Sequence, residues 1–108
     1  MLRFPALILC TSLFCSTPAG AAGMAQPGDQ TVREVCSGCH GSGLLGAPQI
    51  GNGAAWSARL KAAGSVDGLL ASAENGKNNM PPRGGVPDLS DAELRAAIEF
   101  MLASSGIH

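Results

Sequence analysis

Tyrosine is absent from this chain, and tryptophan occurs once, at Trp56. Of the three phenylalanines, Phe4 and Phe14 fall within the first fourteen residues, which leaves only Phe100 for the rest. An ordinary aromatic core is therefore excluded from the folded part, and something else must fill its middle. Charge is equally sparse: seven Lys and Arg stand against eight Asp and Glu, for a formal net charge of −1. With no run of basic residues, nothing in the chain is suited to nucleic acid. Cysteine is too rare for a disulfide scaffold, because Cys10 and Cys15 lie in the N-terminal segment and only Cys36 and Cys39 remain. No stretch alternates apolar and polar residues as a half-buried strand would.

The opening segment, "MLRFPALILCTSLFCSTPAGAAGMAQ", places Arg3 ahead of an apolar run from Phe4 to Phe14 and a tail of small residues. That order is the pattern of a secretory signal peptide, expected to be removed on export to the periplasm. Ala19, Gly20 and Ala21 fit the small-x-small cleavage rule, with Ala22 and Ala25 as alternative last residues. The apolar run is short of the roughly 20 residues that a membrane anchor needs. Acylation is not expected either, because Leu9 and Phe14 stand where a small residue should precede Cys10 or Cys15. The reading is thus a signal segment at 1–25 and one domain at 26–108. A domain of that size is marginally stable on its core alone and calls for a staple.

Within 26–108 the periodicity is helical, which predicts an all-α domain of about four helices. The clearest is "SDAELRAAIEFMLASSG", where Ser90 and Glu93 make a capping box and Gly106 lies beyond the end. Leu94, Ala97, Ile98, Met101 and Leu102 recur at helical spacing and form one stripe. Ahead of the cysteines, Thr31 and Glu34 repeat the capping-box spacing, with Val32, Val35, Cys36 and Cys39 on an apolar side. This predicts a first helix that runs into the cysteine pair. Between these, "GAAWSARLKAAG" and "VDGLLASAENGK" read as two shorter helices stopped by Gly64 and Gly76.

Cys36-Ser37-Gly38-Cys39-His40 carries the chemistry. C-x-x-C alone is a weak motif, whereas C-x-x-C-H at the end of an exported helix is the attachment pattern for c-type haem. The two thiols can form thioethers with the two haem vinyl groups, and the adjacent His40 is then held at the iron. A structural zinc site needs four ligands, and only His40 and His108 could join the two cysteines. A thioredoxin-like dithiol belongs where a strand enters a helix, and no strand is legible. A haem iron with His40 on one side has a candidate sixth ligand in "NGKNNMPPRGG": Met80 lies off every apolar stripe and is braced by Pro81 and Pro82. Met101, on the last stripe, reads as core filler.

Taken together, C-S-G-C-H, the following G-A-P, the late M-P-P and the closing "LSDAELRAAIEFM" resemble the class I cytochromes c, specifically the small bacterial cytochrome c5 group. The resemblance spans roughly Gly28 to Ile107. It implies a helical fold around one haem c, with the first and last helices crossing. It also implies thioethers at Cys36 and Cys39, and iron ligation by His40 and Met80. Pro48 resembles the family proline whose carbonyl accepts a hydrogen bond from the histidine ring. Trp56 resembles a tryptophan near the haem propionates, a position that core packing alone would equally explain. Cytochrome c5 members place a further cysteine pair between M-P-P and the final helix, where this chain has Arg83 to Leu89 and no cysteine.

The function this implies is one-electron transfer between periplasmic or membrane redox partners, by a monomeric carrier that is not an enzyme and meets membranes only through its partners. Two other readings stay open on the sequence: a haem sensor or peroxidase-like protein in which Met80 leaves the iron, and the haem module of a larger periplasmic complex.

Overall fold

The computed structural model describes residues 26–108, and the expected signal segment lies outside them. Four helices are present among the described residues, joined by loops with two short 3-10 turns at Leu44–Gly46 and Pro82–Gly85. Among these described residues there is no strand, and the only sheet-like pairing is an isolated bridge between Lys77 and Met80.

Helix α1 begins as Asp29–Thr31, passes through a π turn at Val32–Cys36, and ends as Ser37–His40. It does reach the cysteine pair, but it starts earlier than the Thr31/Glu34 spacing predicts. Thr31 lies inside the helix with φ −59° and caps nothing, and Glu34 accepts instead from Gln30. The entry is set by tertiary contact rather than by a cap. Gly28 has φ 84° and lies so close to the last helix that a Cβ there would sit 2.2 Å from the Ala96 carbonyl oxygen. Only glycine tolerates both conditions.

The π turn has a positional consequence. In a regular α-helix, residues four apart drift by roughly 40° around the axis. The wider π turn takes out that drift, so Val32, Cys36 and His40 all come to lie on the buried side, while Cys39 is exposed. The Ser37 N–H reaches past its usual acceptor to Val32 O, and the Ser37 hydroxyl donates to the bypassed Arg33 carbonyl at 2.8 Å.

Helix α2, Gly53–Ala63, is capped by Asn52, whose Oδ1 accepts from the Ala55 N–H. Helix α3, Val66–Asn75, is capped in the same way by Ser65 and ends at Gly76. Helix α4, Asp91–Ser104, carries the expected capping box and buries the expected stripe of Leu94, Ala97, Ile98, Met101 and Leu102. Helices α1 and α3 both pack on α4, and α2 packs on α3. Arg95 on α4 pairs with Asp67 on α3, and Arg83 binds both the Leu89 carbonyl and Asp91, which ties the preceding loop to the start of α4. The core between the helices is thin, and no large side chain is wholly enclosed.

The capping box generates the first prediction. Ser90→Ala should cost roughly 1 kcal/mol in denaturant unfolding of the loaded protein. The Ser90 N–H, and then its hydroxyl, hold the Glu93 carboxyl below the ordinary glutamate range. A depressed folded value means that this stabilisation is complete above the ordinary range and is lost as pH falls through the folded value. The stability difference between the parent and Glu93→Gln should therefore narrow on acidification. A difference that grows towards low pH would contradict the cap.

Candidate haem site

His40 closes α1, and the chain then doubles back beneath it. The Ile50 N–H donates to the His40 carbonyl at 2.8 Å, and the His40 Nδ1 lies 2.8 Å from the Pro48 carbonyl oxygen. A carbonyl can only accept, so Nδ1 carries the proton and Nε2 keeps its lone pair. That is the tautomer a metal-binding imidazole requires. The imidazole is buried, at 9% exposure, with the Trp56 ring 5.3 Å away and tilted by 31°. The Trp56 indole N–H is itself engaged, donating to the Gln49 carbonyl at 3.1 Å. Trp56 thus serves the packing around His40 and fixes the backbone that follows Pro48.

His40 faces a cavity of about 480 Å³. Cys36, Cys39, His40, Pro48, Trp56 and Met80, the six residues singled out in the sequence, all line it. Helices α3 and α4 close it with Leu69, Ala73, Leu94 and Ile98. Left unfilled, its apolar wall would stand against water and forgo the gain of about 25 cal/mol per Å² that burial brings. Folded domains are stable by only about 5–15 kcal/mol in total. A group bound there would cover this wall and add substantially to so small a total.

Met80 reaches the cavity from a tight turn. Lys77 and Met80 exchange both backbone hydrogen bonds, at 3.1 and 2.9 Å, with Asn78 at φ 52° between them. Gly76 makes the turn possible, since a Cβ there would fall 2.9 Å from the Met80 carbonyl oxygen. A second methionine, Met101, also lines the cavity, but it is buried in the α4 stripe. The Asn79 amide donates to the Leu45 carbonyl at 3.3 Å, joining the Met80 turn to the loop after His40.

Three non-glycine residues have left-handed backbone among the described residues, Leu45, Asn78 and Arg83, and all three line this cavity. The conformation costs roughly 1–2 kcal/mol for residues such as leucine and arginine, so the strain is concentrated at the site. Leu45 and its neighbour Leu44 are also the most exposed large apolar residues, at 69% and 51%. Sequence reading passed over them. Two leucines in a glycine-rich loop, off any helical stripe, are the same kind of signal that marked Met80.

The charges on the cavity wall are Arg59, Lys77 and Arg83, with no carboxylate among them. Burial pushes the Cys36 thiol up from its ordinary range, as an apolar wall should. The two cysteines are unpaired, and no group of three or more His, Cys, Asp or Glu is arranged to hold a metal ion among the described residues. Two free thiols, one imidazole and one thioether around an apolar cavity suit a large flat metallo-ring.

Comparison with known proteins leads to the same group. The sequence model of the family described as cytochrome C oxidase, cbb3-type, subunit III matches residues 23–101. Cytochrome c5 of Azotobacter vinelandii is 53% identical over 79 residues, covering 73% of this chain and 95% of that one. Cytochrome c5 of Ectopseudomonas mendocina is 49% identical over 83 residues, covering 77% and 95%. Cytochrome c-555 of Chlorobaculum thiosulfatiphilum is 34% identical over 85 residues, covering 75% and 96%. Among solved structures, the crystal structure of an electron transfer complex of nitrite reductase with cytochrome c contains a chain that superposes with a TM-score of 0.67. Identity to it is 38%, over 77% of this chain and 99% of that one. This chain belongs to the small class I c-type cytochromes, in their cytochrome c5-like group, and its cofactor is one haem c bound covalently through Cys36 and Cys39.

Proposed function

We propose that the protein is a one-electron carrier of the periplasm in which His40 and Met80 would hold the haem iron. The observation that carries this reading is their shared position: both line the apolar cavity that holds the thioether cysteines, and His40 keeps its Nε2 lone pair free through the Pro48 hydrogen bond. Bound haem supplies the one-electron iron couple, which methionine sulfur biases towards the ferrous state relative to a second histidine.

The residues of the chain do the rest. The Pro48 carbonyl holds the His40 ring in one tautomer and one orientation, and Trp56 packs beside it. The Lys77–Met80 turn, closed by Pro81 behind it, presents the thioether from the opposite loop. Leu69, Leu94 and Ile98 keep water from the interior, and Arg59 and Lys77 offer positive charge to the haem carboxylates. With His40 and Met80 both committed to the iron, the chain would leave no open position for a substrate, so the protein is a carrier and not an enzyme.

Partners are redox proteins. The relatives are cytochromes c5, and the structural neighbour was solved as an electron transfer complex with nitrite reductase. Leu44 and Leu45, held out at the cavity mouth, provide a small apolar contact. Encounters of this kind bury less than about 1,200 Å² and dissociate readily, as turnover requires. The protein is a monomer that meets membranes only through such partners.

Two predictions follow from the cavity and its ligands. Met80→Ala should keep the haem, because Cys36, Cys39 and His40 are untouched, but it should abolish the weak far-red sulfur-to-iron band of the oxidised protein. Oxygen ligands favour ferric iron, so the midpoint potential should fall by on the order of 100 mV or more, and carbon monoxide should bind the reduced variant readily. Survival of both the band and the potential would exclude Met80 as the ligand.

Cys36→Ala/Cys39→Ala, which cannot retain the haem, should show little of the native far-ultraviolet helix signal in circular dichroism, because the cavity has then lost its occupant. Native helicity in that variant would contradict the dependence of the fold on haem.

A further inference from the structure

Ser105 has no assigned role, lies 65 residues from His40 in sequence, and is one of only two buried polar residues among those described, His40 being the other. Its hydroxyl makes two short bonds at the end of α4. It donates to the Met101 carbonyl at 2.7 Å and accepts from the Gly51 N–H at 2.9 Å. The Gly51 bond is the last in a consecutive series. The Pro48 carbonyl holds the His40 ring, the Gln49 carbonyl holds Trp56, the Ile50 N–H holds the His40 carbonyl, and the Gly51 N–H holds Ser105. Gly53 then passes so close that a Cβ would lie 2.8 Å from the Ser105 carbonyl oxygen. Residues 48–51 thus form a strap. One end grips His40 twice, and the other is fixed to α4 by a single buried side chain.

We infer that Ser105 is a positioning residue for electron transfer: by anchoring the strap it holds the Pro48 carbonyl against His40 Nδ1–H and so tunes the donor strength of the imidazole. The physical route is short. A carbonyl accepting from Nδ1–H raises the basicity of the opposite nitrogen, and a more basic ligand favours ferric iron. Removing the Ser105 hydroxyl takes from the exposed Gly51 its bond to α4, and the Gly51 N–H then turns to water. With that tether to α4 gone the strap is free to swing outward, and this movement draws Pro48 away from the ring. A weakened bond at Nδ1 makes His40 a poorer donor, and the midpoint potential rises.

The inference rests on His40 being an iron ligand. That reading fails on its own terms if the reduced parent protein shows a proton on His40 Nε2 as well as on Nδ1 in the nuclear magnetic resonance spectrum. The test of Ser105 compares three loaded variants with the parent: Ser105→Ala, Ser105→Thr, and Ser90→Ala, which weakens the same helix at its other end. Solvent exchange of the His40 Nδ1 proton and the midpoint potential are read for each. Ser105→Ala should speed that exchange about tenfold beyond what Ser90→Ala does, since tenfold corresponds to about 1.4 kcal/mol, and should raise the potential. Ser105→Thr, which keeps the hydroxyl, should bring both back towards the parent. Exchange in Ser105→Ala no faster than in Ser90→Ala, or a potential equal to the parent's, overturns the inference. Should Ser105→Ala fail to fold, the parent decides: the Gly51 amide and the His40 ring proton must share one opening and respond alike to added denaturant, and separate responses overturn it.

Discussion

A single constraint organises this molecule: helices that carry one tryptophan and one phenylalanine between them surround an apolar cavity of about 480 Å³ and have too little of their own to fill it. Deep burial among the described residues is confined to a few side chains, and several of those, such as Cys36, Trp56, Leu94 and Ile98, also line the cavity. Covalent attachment answers this better than reversible binding could. Two bonds from α1 make the occupant part of the chain, so the apolar surface it covers is buried for as long as the domain is folded. The absence of a further cysteine pair before α4 leaves Arg83, bound to the Leu89 carbonyl and to Asp91, as the brace of that loop.

Rigidity is placed where ligand geometry matters, and its cost is local. The left-handed residues Leu45, Asn78 and Arg83 all lie at the cavity, and the Leu45 carbonyl accepts from Asn79, the neighbour of Asn78. On the His40 side the constraint comes from successive hydrogen bonds along residues 48–51. On the Met80 side it comes from a closed turn backed by prolines. An iron held by His40 and Met80, as proposed, would change oxidation state with little movement of its ligands, which is the condition for fast electron exchange. The two leucines beside the opening remain outside the core, where a partner can cover them.

Much of this was legible in the sequence because the relevant signals are local. The capping box at Ser90 and Glu93 and the stripe on α4 appear as read, since both depend on residues within one helix. The C-S-G-C-H motif names its cofactor through spacing alone, and Met80 stands out because it lies off every stripe. What escaped the sequence depends on distant contacts. Thr31 fails as a cap because Gly28 must fit against Ala96, a constraint written 68 residues away. The π turn shows only in the burial of Val32, Cys36 and His40 on one side. The indole N–H of Trp56 goes to Gln49, and Ser105 reaches Gly51, through chain reversals that no periodicity encodes.

The central claim is that Met80, and not the neighbouring Met101, completes the site whose other face is His40. Protons held over the face of a haem ring are shifted strongly upfield by its ring current. In the reduced protein labelled with carbon-13 at the methionine methyl groups, the Met80 methyl should resonate far upfield of every other methyl, while Met101 should stay among the ordinary core methyl groups. A Met80 methyl at an ordinary position, or Met101 as the shifted one, would contradict the account.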